Sequence, residues 1–170
     1  FVEAGFQAAG ADYELGGMQL PAIVQSAAIA YFSVANGPVA GYTFLTRAAA
    51  NLISAHGSEA QKDKWLEPMF DGRYAGTMAM SEPGAGSGLA DLITSAEPAE
   101  GGTYRVSGNK IWISSGDHEL TENIVHLVLA RVKGAPKGVK GISLFIVPKF
   151  LVKDDGSLGE RNDVSLAGLF

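Results

Sequence analysis

The sequence predicts an α+β protein, with an all-helical part through about residue 72 followed by an antiparallel β domain over 73–170. Three observations carry this. Residues 15–46 contain no charged side chain, and over 22–36 the apolar residues fall nearly all round a helix. From Arg73 onward the apolar period becomes two, the period of a strand. Gly101-Gly102 and Gly108-Asn109 then stand where hairpin turns are needed.

Residues 1–10, rich in Ala with spaced Phe, read as a helix end closed by Gly10, and residues 11–20 as a loop through Gly16-Gly17. Pro21 can open the next helix, because its missing amide proton costs nothing in a first turn. Residues 22–36 are apolar nearly all round, so that helix is expected to be buried. Asn36-Gly37-Pro38 stops it, and 39–55 form a second helix with Phe44, Leu45, Leu52 and Ile53 inward. Ser58-Glu59-Ala60-Gln61 is a capping box: the serine hydroxyl accepts from an orphan amide and the glutamine reaches back. It opens a short helix to Leu66, with Trp65, Met69 and Phe70 on the buried side. Asp71-Gly72 is a turn.

Strands are expected at 74–80, 92–96, 103–107, 110–114, 124–132 and 141–147. The runs 124–130 and 142–147 are almost continuously apolar, the pattern of strands buried on both faces. Asp154-Asp155-Gly156 is a further turn.

Composition excludes several function classes. With 13 basic and 18 acidic side chains, and no basic run, the chain lacks the clustered cations of a nucleic-acid surface. It has no cysteine, hence no disulfide framework and no thiol nucleophile. The apolar stretch 22–35 is shorter than the roughly 20 residues that a membrane span requires. His56, His118 and His126 show no metal-ligand spacing, and no metal site is expected. The start lacks a signal peptide's basic residues and long apolar core, the first residue is not Met, and the chain reads as a fragment.

Two stretches carry chemistry. Met78-Ala79-Met80-Ser81-Glu82-Pro83-Gly84-Ala85-Gly86-Ser87-Gly88 ends a strand in a loop whose glycines let backbone amides approach a ligand closely. Lys110-Ile111-Trp112-Ile113-Ser114-Ser115-Gly116 places an indole and two hydroxyls together. Taken singly, a Glu-Pro-Gly turn after a strand is common, and Trp112 can be an ordinary core residue.

Together, and behind a helical half, the two stretches resemble the flavin-contacting motifs of the acyl-CoA dehydrogenases, a loop of the form Thr-Glu-Pro-x-Ala-Gly-Ser-Asp and a later Trp-Ile-Thr/Ser. The resemblance covers the whole chain. It implies the end of an N-terminal helical domain at 1–72 and most of a middle β-barrel, the flavin- and acyl-CoA-binding domain, at 73–170, without the family's C-terminal helical domain. Residues 115–124 and 159–162 are similar to the large bacterial subgroup that includes 3-methylmercaptopropionyl-CoA dehydrogenases.

The resemblance further implies FAD as cofactor and α,β-dehydrogenation of an acyl-CoA thioester, with hydride passing to flavin N5. Met78, Met80, Ser81, Gly86, Ser87, Trp112, Ile113 and Ser114 are then the cofactor contacts. Ser81 stands for the motif threonine, Trp112 packs near the ring, and Ser114 hydrogen-bonds near N5. Ser87 also meets the thioester arm of the substrate. The general base is expected beyond Phe170, so no catalytic residue is assigned within the chain. An electron-transfer flavoprotein as acceptor, a homo-oligomeric full-length protein and a bacterial cytoplasmic location are also implied. Gly88 departs from the pattern, since the family usually has Asp there. An acyl-CoA oxidase using oxygen would share these motifs, and a non-enzymatic β-barrel interaction module is the alternative of another class.

Rival motifs fail on spacing. The glycines at 84–88 lack the final Gly of a dinucleotide fingerprint, and Ser87 is not flanked as a nucleophile elbow.

Overall fold

A computed structural model describes residues 1–168; Leu169 and Phe170 lie outside the described residues. The element order is helical and then β, as expected.

Helix α1 (Ala22–His56) begins after Pro21 and is kinked at Asn36, whose φ of −159° and ψ of 90° are not helical. The Asn36 Oδ1 accepts from the Val39 amide at 3.1 Å, so it caps the half that follows. Pro38 falls in the first turn of that half, where its missing N–H is tolerated. The expected break is therefore present as a capped kink. The expected burial of the first half is not: Ile23, Tyr31 and Val34 are 79%, 81% and 89% exposed, because no described segment packs over them. Residues 1–10 also differ from expectation. They hold only a 3-10 turn (Phe6–Ala8) after Gly5, whose φ is 75°. The rings of Phe1, Phe6 and Phe32 cluster there.

Helix α2 (Glu59–Phe70) carries the predicted capping box, with Ser58 and Gln61 exchanging side-chain-to-backbone bonds of 3.3 and 2.9 Å. It runs past Leu66 to Phe70, which turns Trp65, Leu66, Met69 and Phe70 into the core.

The strands are β1 (Tyr74–Ala79), β2 (Ser95–Pro98), β3 (Tyr104–Ser107), β4 (Asn123–Val132), β5 (Ile142–Pro148), β6 (Phe150–Val152) and β7 (Leu158–Arg161). Strand β4 is central. Strand β5 pairs antiparallel along one of its edges, from Val125↔Pro148 to Arg131↔Ile142. Strand β1 takes the opposite edge in parallel, from Tyr74↔Asn123 to Ala79↔Val128, and β2 joins that edge in parallel at Ser95↔Arg131. The sheet is thus mixed rather than wholly antiparallel, because alternation identifies strands but not the partners of strands far apart in sequence.

Gly101 and Gly102, at φ 69° and 74°, make the predicted β2–β3 hairpin. Gly108-Asn109 does not make one, and residues 110–114 form no strand. A Cβ at Gly108 would lie 2.3 Å from Thr94 Oγ1, so Gly108 serves close approach instead. Strand β4 is buried on both faces as expected, whereas β5 is not: its adjacent residues Ser143 and Leu144, which point to opposite faces, are both exposed. Asp154-Asp155-Gly156 turns β6 into β7. Asn123 joins this hairpin to the sheet by two 2.9 Å bonds with the Phe150 backbone.

The second half of α1 packs on β1 through small residues. Thr46, Ala49, Ala50 and Ile53 are buried, and Thr46 Oγ1 accepts from the Gly76 amide at 3.0 Å. A Cβ at Gly76 would sit 2.8 Å from both Ala49 Cβ and Met69 Cε, and 3.0 Å from the Thr46 backbone. Replacement of Gly76 by Ala is therefore expected to destabilise the chain by about 1–3 kcal/mol through overpacking. The urea midpoint reads this, and an unchanged midpoint would show that helix and sheet separate freely.

Candidate functional site

The loop 80–94 exists because β1 and β2 lie in line on one edge of β4 with a gap between them. Strand β1 leaves β4 opposite Val128, and β2 resumes opposite Arg131. The backbone between must bulge out and return, and it has few partners in the sheet.

Glu82 closes the neck of that bulge. It is 4% exposed. Its Oε2 accepts from the Ile93 amide at 2.7 Å, and its Oε1 accepts from the Thr94 amide at 3.0 Å and from Lys110 Nζ at 2.8 Å. The outgoing and returning arms of the loop thus meet on one carboxylate. Burial by itself would raise the Glu82 pKa, but the donors from Ile93, Lys110 and Thr94 outweigh it and hold the value at about 2. Mutual bonds between Glu82 and Ala85 fold the tip into a tight turn.

Lys110 carries the second motif to the first. Its Nζ also donates to Met80 O at 3.1 Å, and the Ile111 amide donates to Ser81 O at 3.0 Å. Met80–Glu82 therefore lie beside Lys110–Trp112. This contact explains why 110–114 is not a strand: beyond Ile111 the chain turns, with Trp112 at φ 59° and Ser115 at φ 57°. Left-handed backbone is uncommon for residues other than glycine. It swings the indole outward, where Trp112 is 68% exposed.

Met78 is half-buried on β1 against the core, and Met80 is exposed where the strand ends. Ser81 and Ile113 are half-buried, while Gly86, Ser87 and Ser114 are exposed. Among the described residues the hydroxyls of Ser81, Ser87 and Ser114 make no protein hydrogen bond, nor do the amides of Gly86, Ser87 and Gly88 donate to any carbonyl. A Cβ at Gly84 or Gly86 would meet nothing within 4 Å. Free donors around open space suit a ligand rich in acceptors, which a flavin ring is. The junction unites the starts of both motifs; Ser87 and Ser114 lie on separate arms leaving it. The Gly88 departure has a local counterpart: a Cβ built there would be 3.4 Å from Asp91 Oδ2, so a carboxylate already lies against that position.

Sequence reasoning missed Lys110 as a linking residue. Its signal was a lone cation in the second motif and a glutamate in the first. A pocket of about 440 Å³ on the β2–β3 hairpin, lined by Glu97, Pro98, Ala99, Glu100, Thr103 and Arg105, contains no motif residue. Among the described residues no group of acidic, His or Cys side chains could hold a metal ion, and no helix is long and apolar enough to cross a membrane.

Beneath the loop, His126 Nδ1 lies 2.8 Å from Thr77 Oγ1 across β4 and β1. Burial pushes the His126 pKa down to about 4; Asp117 opposes this, and Lys149 and His118 add to it. Both shifts remove stability in acid, in separate windows. The unfolded chain protonates His126 first, so stability falls from pH 6.5 toward 4; Glu82 adds a loss from 4.5 toward 2. Glu82→Gln is expected to abolish only the lower window and to cost about 3–5 kcal/mol at neutral pH by leaving the Lys110 ammonium without its counter-charge. Urea midpoints measured against pH test this. An unchanged limb below pH 4.5 would mean that Glu82 does not hold the loop.

Residues 1–73 match the acyl-CoA dehydrogenase N-terminal domain, and residues 77–165 match the acyl-CoA dehydrogenase middle domain. The chain is 44% identical over 99% of its length to 3-methylmercaptopropionyl-CoA dehydrogenase of Ruegeria pomeroyi, covering 29% of that protein. It is 41% identical over 96% of its length to a broad-specificity linear acyl-CoA dehydrogenase of Mycobacterium tuberculosis, covering 27% of that protein. Among solved structures, an acyl-CoA dehydrogenase of Bacillus anthracis complexed with FAD superposes with a TM-score of 0.73 at 29% identity, over 87% of this chain and 24% of that one. The chain thus spans less than a third of the length of these curated relatives. Within that span the two domain matches follow each other in the order that the fold displays, and the chain belongs to the acyl-CoA dehydrogenase family.

Proposed function

We propose that this chain forms the flavin- and thioester-contacting part of an FAD-dependent acyl-CoA dehydrogenase. The observation that carries this reading is the junction of the two motifs, where Ile111 N bonds Ser81 O and Lys110 bonds Glu82. It brings the hydroxyl-bearing loop and the exposed indole to one place. Bound FAD would supply the acceptor for the hydride leaving the acyl β-carbon.

The residues of this chain then bind and orient. Ser81 and the free amides of Gly86 and Ser87 offer donors toward the pyrimidine side of the ring, where reduction adds negative charge. Trp112 covers one side of the ring, flanked by Met80 and Ile113, while Met78 supports the strand end from within the core. Ser114 donates near N5, and Ser87 reaches the thioester.

Neither Glu82 nor Asp117 is fit to remove the α-proton. Glu82 is buried and held at about pKa 2, far below a base poised for neutral pH. Hydrogen bonds from Lys149, against an opposing effect of burial, hold the Asp117 pKa low, with Arg161 adding to the effect. We therefore assign the base to residues that follow this span in the full-length protein. An electron-transfer flavoprotein is the acceptor that we infer from membership of the family. A homo-oligomeric full-length protein in the bacterial cytoplasm, acting on the subgroup's acyl-CoA thioesters, completes the reading.

Ile23, Tyr31 and Val34 leave an apolar face of α1 exposed, a surface that we infer is covered in the full-length protein. The 170-residue chain alone is expected to bind FAD weakly and to leave acyl-CoA unoxidised. Extension through a following helical domain is expected to bring yellow colour and activity together. A purified 170-residue chain that holds FAD stoichiometrically and bleaches with acyl-CoA would contradict this, and would point to Glu82, Asp117 or Glu119 as base.

A further inference from the structure

We propose that Arg131 is a positioning residue that fixes the returning arm of the motif loop from the far side; this rests on the flavin reading above. Arg131 lies near the end of β4, and its guanidinium addresses backbone carbonyls rather than a carboxylate. Nη1 donates to Pro136 O at 2.6 Å and to Gly138 O at 2.8 Å, both on the β4–β5 link. Nη2 donates to Ala90 O at 3.1 Å, in the short 3-10 turn (Leu89–Asp91) that follows Ser87. The Arg131 amide also donates to Thr94 O at 2.9 Å. One residue therefore grips the returning arm by side chain and backbone.

The link is shaped around this side chain. A Cβ at Gly141 would fall 2.6 Å from Arg131 Nη1 and 1.9 Å from Pro136 O, so the grip requires glycine there. Among the described residues no carboxylate lies within ion-pair distance of Arg131, and charge-assisted bonds to three carbonyls use its planar fork. Lysine has the charge but not the fork. Glu82 holds the neck of the loop, and Arg131 holds its return beyond Ser87. Displacement of Ala90 would shift Ser87 and its neighbouring amides, although Arg131 touches no ligand.

The test has two arms. In the 170-residue chain, Arg131→Met and Arg131→Lys are expected to raise amide exchange across residues 88–92 about tenfold, with exchange in β1 and β4 unchanged. In the full-length protein carrying FAD, both variants are expected to alter the visible circular dichroism of the flavin and to lower kcat/KM about tenfold, Lys less than Met. Unchanged exchange at 88–92 overturns the clamp. Faster exchange with unaltered flavin dichroism and kinetics overturns the positioning role. If the Met variant unfolds, the Lys variant with protected β-strand amides decides. A wild-type full-length protein that takes up no FAD overturns the flavin reading and this role with it, and the exchange arm separates that result from failure of the clamp.

Discussion

The buried Glu82 carboxylate is the constraint on which the rest of the site depends. Strands β1 and β2 share one edge of β4 but do not meet, so the chain between them must leave the sheet and come back. A loop of glycines and serines has no packing of its own to hold such a shape. One carboxylate, with its oxygens shared among two returning amides and the Lys110 ammonium, fixes both arms and draws in the second motif. Burial of this ion pair is tolerable because its donors and acceptors are satisfied; either partner alone would be a costly buried charge. The glutamate is structural for the same reason that it is unsuited to proton abstraction.

The loop also needs a rigid floor. That floor is β4, buried on both faces, and β1, held against α1 by close contact at Gly76. Small side chains at Ala49 and Ala50 let the helix backbone approach the strand, and the Thr46 hydroxyl takes up the Gly76 amide. The same helix leaves Ile23, Tyr31 and Val34 exposed along its first half. An exposed apolar face of this kind is what a further segment or a partner covers.

Much of this was legible in sequence because the signals are local. The capping box at Ser58, the kink at Asn36, the hairpin at Gly101-Gly102 and the change of period at Arg73 each depend on a few neighbouring residues. The family too was legible, from two motifs in order. What was not legible depends on distant partners. Parallel pairing of β1 with β4 joins Tyr74 to Asn123, and alternation carries no record of that choice. Residues 110–114 alternate like a strand, yet Ile111 bonds Ser81 and Trp112 then turns into left-handed geometry. Burial of residues 22–36 was misjudged because an apolar helix implies a partner without saying that the partner lies in the same span. Of the site, the hydroxyls and the indole were readable as motif residues; Lys110 and Arg131 were not, since their roles arise only where the sheet brings two loops together.

We propose that the two motifs, joined by the Glu82–Lys110 pair, make one flavin site. A crystal structure of the full-length protein with FAD tests it most directly. Ser81, Trp112 and Ser114 are expected to lie within contact distance of a single isoalloxazine ring, while Glu82 keeps its bonds to Ile93, Thr94 and Lys110. A ring that touches the loop at 81–88 but leaves Trp112 and Ser114 facing solvent would contradict it.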